Sequence, residues 1–440
     1  MNLMTRENPD PPASTRVLVL TACGVFLLSG CTTSGPPAEG AGDWVGSITT
    51  EGAVTTTINE SGSIWGDGAR LVEEMSIGVD VGEDEYMLGR IGSIAVTDNV
   101  VVLADTQTPS VRMYDTDGRY LRAIGTGPGQ GPGEYQAPVL VAADPDGTVF
   151  VFDPNGRRLT AFDEHGEVLE DWEVQDAACC AWRMALAPDG TLWLPVRQWA
   201  FQSPTGDTRF GMRAYPPADA SMDEVEWFPE LEFETATVTA DDRQLEVPFS
   251  PGYAWALTAD GGVTIGTSDQ YQFETRRPDG SSLVVQRRVD TVPVDPAEAE
   301  WRSRWMLENI LNYVDSEFSG SVAIPDQKPA FIGFAPDSLG GTWVWRQGAS
   351  RHLTGDCVDD PRDQDLGYSR DNSCWVEDRY FDIFSPEGKY LGSVPQPDGI
   401  ARWNAQLNVY PMGDIVYAVV ETAEGVPTVK RYRLEHGDGT

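Results

Sequence analysis

Histidine and lysine are almost absent from this chain. Its 440 residues include three histidines (His165, His352, His436) and three lysines (Lys328, Lys389, Lys430). No H-x-x-x-H pair occurs, which excludes the helical zinc-protease arrangement. A phosphate loop ending in Gly-Lys-Ser/Thr is missing, and so is a dinucleotide fingerprint. Against 69 acidic residues stand only 31 basic ones, a formal charge of −38. Such a surface repels nucleic acid and offers no polybasic patch to a membrane. Long apolar runs are lacking too. Residues 17–28, VLVLTACGVFLL, form a run of 12, whereas a spanning helix needs about 20.

That short run has the length of the apolar core of a secretory signal. Arg16 precedes it, and Leu28-Ser29-Gly30-Cys31 ends it. The tetrapeptide resembles the bacterial lipobox, in which the cysteine becomes the lipidated first residue of the mature protein. The resemblance implies one lipid on the Cys31 thiol and a further acyl chain on the new amino group. More than one chain is what stable anchoring requires. The leader before Arg16 contains Glu7 and Asp10 and is long for a basic n-region. Residues 1–30 are thus expected to be a signal peptide. Residues 31–43 are small and rich in Pro and Gly, with too little apolar surface to fold, and read as a flexible tether. The folded domain is expected over 44–440. No Asp follows Cys31. By similarity to Gram-negative sorting, the expected place is the cell envelope, on the periplasmic or cell-surface side of the outer rather than the inner membrane.

Export puts the remaining cysteines, Cys179, Cys180, Cys357 and Cys374, in an oxidising compartment. Cys357 and Cys374 flank a polar insertion and are expected to pair across it. Cys179 and Cys180 are adjacent; they form a strained vicinal disulfide, or one pairs elsewhere. Zinc is the alternative, but His352 alone among the histidines lies near either pair in sequence, so the reading is disulfide.

Repeats carry the organisation of the domain. Residues 93–125 and 139–174 share one grammar: Asp105 matches Asp153, Asp115 matches Asp163 and Gly118 matches Gly166, each 48 residues on. An alternating strand leads to a turn such as Asp146-Gly147, where Gly accepts the positive φ that a hairpin demands. A second strand ends in Asp, a third precedes a D-x-x-G turn, and a fourth follows. Weaker copies begin at 184, 256, 331 (resuming at 380 after the insertion) and 406, making six units. Four strands per unit of 40–50 residues is propeller grammar. The fold class is therefore all-β, a six-bladed β-propeller. The last unit ends after three strands, and GAVTTTINESGSIW, residues 52–65, is expected to supply its outer strand. One segment breaks the pattern. Asp295-Pro296-Ala297-Glu298 combines an N-cap, a first-turn Pro and an acid three residues after the cap. It predicts one inserted helix over about 296–314, with Trp301, Trp305, Ile310, Leu311 and Val314 on its apolar face, packed on a blade edge or lying over a mouth of the ring.

The chain resembles the bacterial six-bladed propellers related to NHL-repeat and TolB-like propellers, many of them predicted lipoproteins. The features that carry the resemblance are the repeat at 93–174, the Gly-rich loop 125–135, Pro248-Phe-Ser-Pro251, Tyr271-Gln-Phe-Glu-Thr-Arg276 and Lys328-Pro-Ala330. It spans roughly residues 65–434 and implies a fold, not an activity.

No Ser/His/Asp set suggests nucleophilic catalysis. Asp105 and Asp153 end the second strands of consecutive blades, and two readings are open for them. They cap neighbouring loops, or they belong to a carboxylate ring able to hold Ca²⁺. The glycines of the 125–135 loop are a crossover or an anion nest. Glu134, Tyr135, Tyr271, Arg276, Trp345 and Arg346 are the further candidates for a channel mouth, which would suit carbohydrate, peptide or carboxylate ligands. The leading functional expectation is a membrane-anchored binding or scaffold module for a small ligand or an envelope protein, rather than an enzyme, with no required cofactor. The alternative is a Ca²⁺-dependent hydrolase or lyase of the lactonase kind using the central channel.

Overall fold

The computed structural model describes residues 42–174, 183–198, 209–215, 225–318, 320–355, 357, 359–360, 373–400, 408–422 and 424–436. All of them belong to one compact unit, Glu39–Thr440. Residues 1–41, which hold the expected signal peptide and Cys31, and the adjacent Cys179 and Cys180 lie outside the described residues.

Each repeat becomes a four-stranded antiparallel sheet, and there are six. Blade 1 is Ile91–Val96, Val100–Asp105, Ser110–Asp115 and Tyr120–Ile124. Blade 2 is Leu140–Ala143, Val149–Asp153, Arg158–Phe162 and Val168–Glu173. Blade 3 has Ala185–Leu186 innermost and Val225–Trp227 outermost. Blade 4 runs from Tyr253–Leu257 through Val263–Thr267 and Gln272–Arg276 to Ser282–Arg287. Blade 5 runs from Gly333–Pro336 through Thr342–His352 and Trp375–Phe384 to Tyr390–Pro395. Blade 6 takes Val409–Met412, Ile415–Glu421 and Pro427–Glu435 from the C-terminal end of the chain.

Central strands are apolar on both faces, as Val101, Val102, Leu103 and Ala104 show by being wholly buried. A blade therefore needs a neighbour on each side. Six separate apolar clusters fill the six junctions, including one between blades 6 and 1 that joins Tyr417 and Val429 to Val101 and Leu103. The ring is closed. At the turns, Gly147 and Gly166 adopt φ of 95° and 86°, where a side chain would be strained.

Closure is made by a different strand from the one expected. The outer strand of blade 6 is Arg70–Ile77, antiparallel to Pro427–Glu435. Residues 52–65 lie elsewhere: Val54–Ser61 runs parallel to the outer strand of blade 4, and Val45–Glu51 pairs with it to make a six-stranded sheet. The reason is the inward face of that segment. Thr57 and Asn59 are buried there, and they need polar partners rather than the apolar flank of blade 6. Asn59 finds all of them. Its amide donates to the carbonyls of Gln286 and Gly388 (3.1 and 3.0 Å) and its oxygen accepts from Trp44 Nε1 and the Tyr390 amide (both 2.7 Å). The N-terminal segment thus straps blade 4 to blade 5 before closing blade 6.

The helix starts as its sequence predicts. The Asp295 side chain accepts from Ala297 N (2.8 Å), and Pro296–Met306 forms α1. It continues through a wider π turn, Leu307–Leu311, and a last turn, Asn312–Val314. Met306 and Leu311 pack with Ala240, Val247 and Val322 in a seventh cluster, against the hairpin Thr237–Ala240/Arg243–Glu246 inserted between blades 3 and 4. On the other side Arg302 bridges Glu298 (3.2 Å) and Glu377 of blade 5 (3.3 Å). Among the described residues, no helix is long and apolar enough to cross a membrane.

Candidate functional site

At the junction of blades 4 and 5 a carboxylate is buried with two guanidiniums. Asp382, in the third strand of blade 5, has no exposed surface. Ser393 Oγ donates to its Oδ1 at 2.5 Å and Tyr271 OH to its Oδ2 at 2.7 Å. Arg287, the last residue of blade 4, forms a close ion pair with the same oxygen, and Arg346 Nη1 donates to it from 3.3 Å. Arg346 is further tied to the Ala330 carbonyl through Nε at 3.1 Å. Two guanidiniums against one carboxylate leave one positive charge, in a protein whose net charge is strongly negative.

Aromatic faces enclose this centre. Arg287 lies 3.5 Å above the Tyr390 ring, and Arg346 lies 5.1 Å from that of Tyr271 and 5.2 Å from that of Tyr380. Burial, and then the Asp382 charge, push the Tyr271 phenol well above its usual pKa, so it stays a proton donor. Burial works against the charge on Arg287, but Asp382 together with Tyr271 and Tyr390 outweighs it and raises the guanidinium pKa.

The cluster is accessible from one side. Arg287 keeps 16% of its side chain exposed while Asp382 keeps none. It lines two adjoining cavities beneath the N-terminal strap. One, of about 480 Å³, is bounded by Glu60, Ser61, Arg288, Asp290, Arg346 and Tyr380. The other, of about 600 Å³, is bounded by Asp43, Ser63, Asp67, Tyr390 and Ser393. Both sizes suit a small molecule.

The sequence model of the family DUF5128, described as a 6-bladed beta-propeller, matches residues 81–203. The chain is a six-bladed β-propeller. No curated protein matches it. Solved structures that this propeller resembles include a member of the DUF4221 family from Bacteroides vulgatus, at 10% identity over 84% of this chain and 99% of that one, with a TM-score of 0.47. A putative exported protein from Bacteroides fragilis gives 11% identity, 83% and 95% coverage and a TM-score of 0.44. Virginiamycin B lyase from Staphylococcus aureus gives 10% identity, 85% and 91% coverage and a TM-score of 0.36.

Of the residues singled out from sequence, the propeller brings Tyr271 and Arg346 together, at Asp382 and between blades rather than at a channel mouth. The others go elsewhere. Trp345 is buried between blades 5 and 6, its indole donating to Gln396 Oε1 at 2.5 Å. Arg276 is exposed and pairs with Glu274 at 3.1 Å. Tyr135 is a core residue between blades 1 and 2, with its hydroxyl on the Ile124 carbonyl. Glu134 turns back into its own loop, accepting from Gln130 N (2.8 Å) and Gly131 N (2.7 Å), so the nest already holds an anion from the chain itself.

Asp105 accepts from the backbone amides of Gly89, Arg90, Gln107 and Thr108 and from the Thr108 hydroxyl. Asp153 accepts from the amides of Gln136, Ala137 and Gly156. Both carboxylates are buried and spent on local loops, which leaves little lone-pair capacity for a shared cation. Sequence reasoning missed Asp382, Arg287 and the strap. A signal was present: in Tyr380-Phe-Asp-Ile-Phe384 an acid stands inside an otherwise aromatic and aliphatic strand.

Proposed function

We propose that the protein is an exported, lipid-anchored propeller that binds a small polar ligand carrying a carboxylate, in the cleft between blades 4 and 5. The observation that carries the ligand reading is the convergence of Arg287 and Arg346 on one buried aspartate at the cleft floor. A planar guanidinium matches a carboxylate in shape and charge. Arg287 lines both cavities, so an incoming carboxylate meets a guanidinium in either, with Tyr380 in the first and Ser63 in the second. Glu60, Asp290, Asp43 and Asp67 in the same linings select against ligands of high negative charge. The anchor reading rests on the lipobox-like sequence at Cys31 and on a tether too polar to fold. The lactonase-like alternative needs carboxylates free to meet at a cation, and Asp105 and Asp153 are committed to backbone amides.

Binding is tested by calorimetric titration with glucuronate, glucose and sulfate as probes. Heat with glucuronate that vanishes in Arg287→Ala is expected. Equal heats for wild type and variant, or none with any carboxylate, would overturn the ligand reading. The anchor is tested separately by replacing Cys31 with Ser. The variant should lose acyl-chain labelling and leave the membrane fraction; retention there would contradict anchoring.

A further inference from the structure

A second group of chemically capable side chains lies away from the cleft, at the base of the blade 5 insertion. The strand Thr342–His352 ends in His352, whose register partner across the hairpin is Trp375. Cys374 directly precedes Trp375, and its carbonyl accepts from Leu353 N at 2.8 Å, so the two strand ends are fixed side by side. Cys374 is joined to Cys357 by the disulfide expected from sequence. Two residues beyond Cys357, the Asp359 carboxylate meets His352 Nε2 at 3.0 Å. Trp301 of α1 donates to the Asp359 carbonyl at 2.7 Å and holds that residue in place. One donor atom each from His352, Asp359 and Cys374 all lie within 4.8 Å of one another. Cys357 Sγ lies outside that triad but is bonded to Cys374 Sγ.

We propose that reduction of Cys357–Cys374 turns this staple into a zinc site, with His352 Nε2, the Asp359 carboxylate and the two sulfurs as ligands. In the reductive step a dithiol supplies two electrons and two protons. The S–S bond breaks, two protein thiols form, and the dithiol closes to its own disulfide. Zn²⁺ then binds the two sulfurs as thiolates and releases two protons. Tetrahedral coordination with Zn–S of about 2.3 Å and Zn–N or Zn–O of about 2.0 Å puts donors roughly 3.3–3.8 Å apart. The sulfurs separate on reduction, and the His and Asp donors are already within reach. Cys374 is buried, and the Trp375 ring stands edge-on to His352 with centroids 4.9 Å apart. In the oxidised protein the sulfurs carry no charge and the site does not exist. An exposed His–Asp pair alone adds little to stability. Beside two reducible sulfurs, the same pair completes a ligand set that fastens the insertion in either redox state.

The test uses the full chain with and without a phosphine reductant, which cleaves the disulfide while taking its oxygen from water. Co²⁺ serves as a spectroscopic probe and Zn²⁺ as its competitor. The reduced protein should bind about one equivalent of Co²⁺ with the visible bands of a tetrahedral thiolate site, and Zn²⁺ should displace it. The oxidised protein should show no such bands. Cys357→Ser should abolish the signal, His352→Ala should weaken binding by about tenfold or more, and Cys179→Ser/Cys180→Ser should leave it unchanged. The proposal is overturned if the reduced chain gives no tetrahedral signal. It is equally overturned if the signal survives Cys357→Ser, disappears in the Cys179/Cys180 variant, or is the same in His352→Ala.

Discussion

Blades 1 and 2 and blades 4 and 5 each bury aspartates, and they use them differently. Asp105 and Asp153 gather amide N–H groups from the segment leading into their blade's first strand and from the turn after their own strand. Asp382 gathers side chains from distant parts of the chain: Tyr271 and Arg287 are 111 and 95 residues away, and Arg346 is 36 away. A carboxylate that satisfies its own loop is part of the repeat and recurs with it. One that holds two guanidiniums beside an open cleft joins blade 5 to blade 4 through side chains that the repeat does not supply.

The largest effect should follow removal of the unusual aspartate. Asp382→Ala leaves Arg287 and Arg346 without their counter-charge, and a loss of about 3–5 kcal/mol in denaturant unfolding is expected. A loss below that of Asp105→Asn would break the distinction between the two regions. Ring closure comes next. Ile77, on the closing strand, is wholly buried among blade 1 and blade 6 residues, so Ile77→Ala should cost about 2–5 kcal/mol. If the unfolding midpoint does not move, the strand is not closing the ring. Asp105→Asn and Asp153→Asn should each cost about 1–3 kcal/mol, and Ca²⁺ should not shift the melting temperature of the wild type. A Ca²⁺ shift abolished by either substitution would return these residues to a metal role.

The smallest effect concerns the surface turns. Backbone amides, first that of Arg119 for Asp115 and that of Glu167 for Asp163, hold both carboxyls below their usual pKa. The folded pKa lies below the unfolded one, so their stabilisation is present above about pH 4. It fades as pH falls through the folded value. Melting temperature measured from pH 6 downward should drop in that acid range, and by less in Asp115→Asn/Asp163→Asn. An identical acid profile would show that these turns do not contribute.

The two regions also differ in how far their sequences betray them. In blades 1 and 2 the 48-residue spacing, the Asp-Gly turns and the alternation of buried and open positions are local, and a reader of the chain recovers the blade from them. The helix start at Asp295 and the Cys357–Cys374 disulfide are local signals of the same kind. The closing strand is hard to read from sequence because its alternation is interrupted: a register shift between Glu73 and Met75 moves the inward positions. The Thr-rich segment at 54–61 has the better strand composition, yet its inward Thr57 and Asn59 suit a polar seat. The cleft is an assembly of separate chain segments. Tyr271 and Arg346 drew attention as residue types, but only the packing of blade 4 against blade 5 brings them to Asp382 and Arg287.

Calorimetric titration of the purified protein with glucuronate, run in parallel on Arg287→Ala and on Asp105→Asn, tests the cleft most directly. Saturable heat in the wild type and in Asp105→Asn, lost in Arg287→Ala, is the predicted result. Saturable binding that survives Arg287→Ala, or that fails in Asp105→Asn while that variant remains folded, would place the ligand elsewhere on the ring and contradict the account.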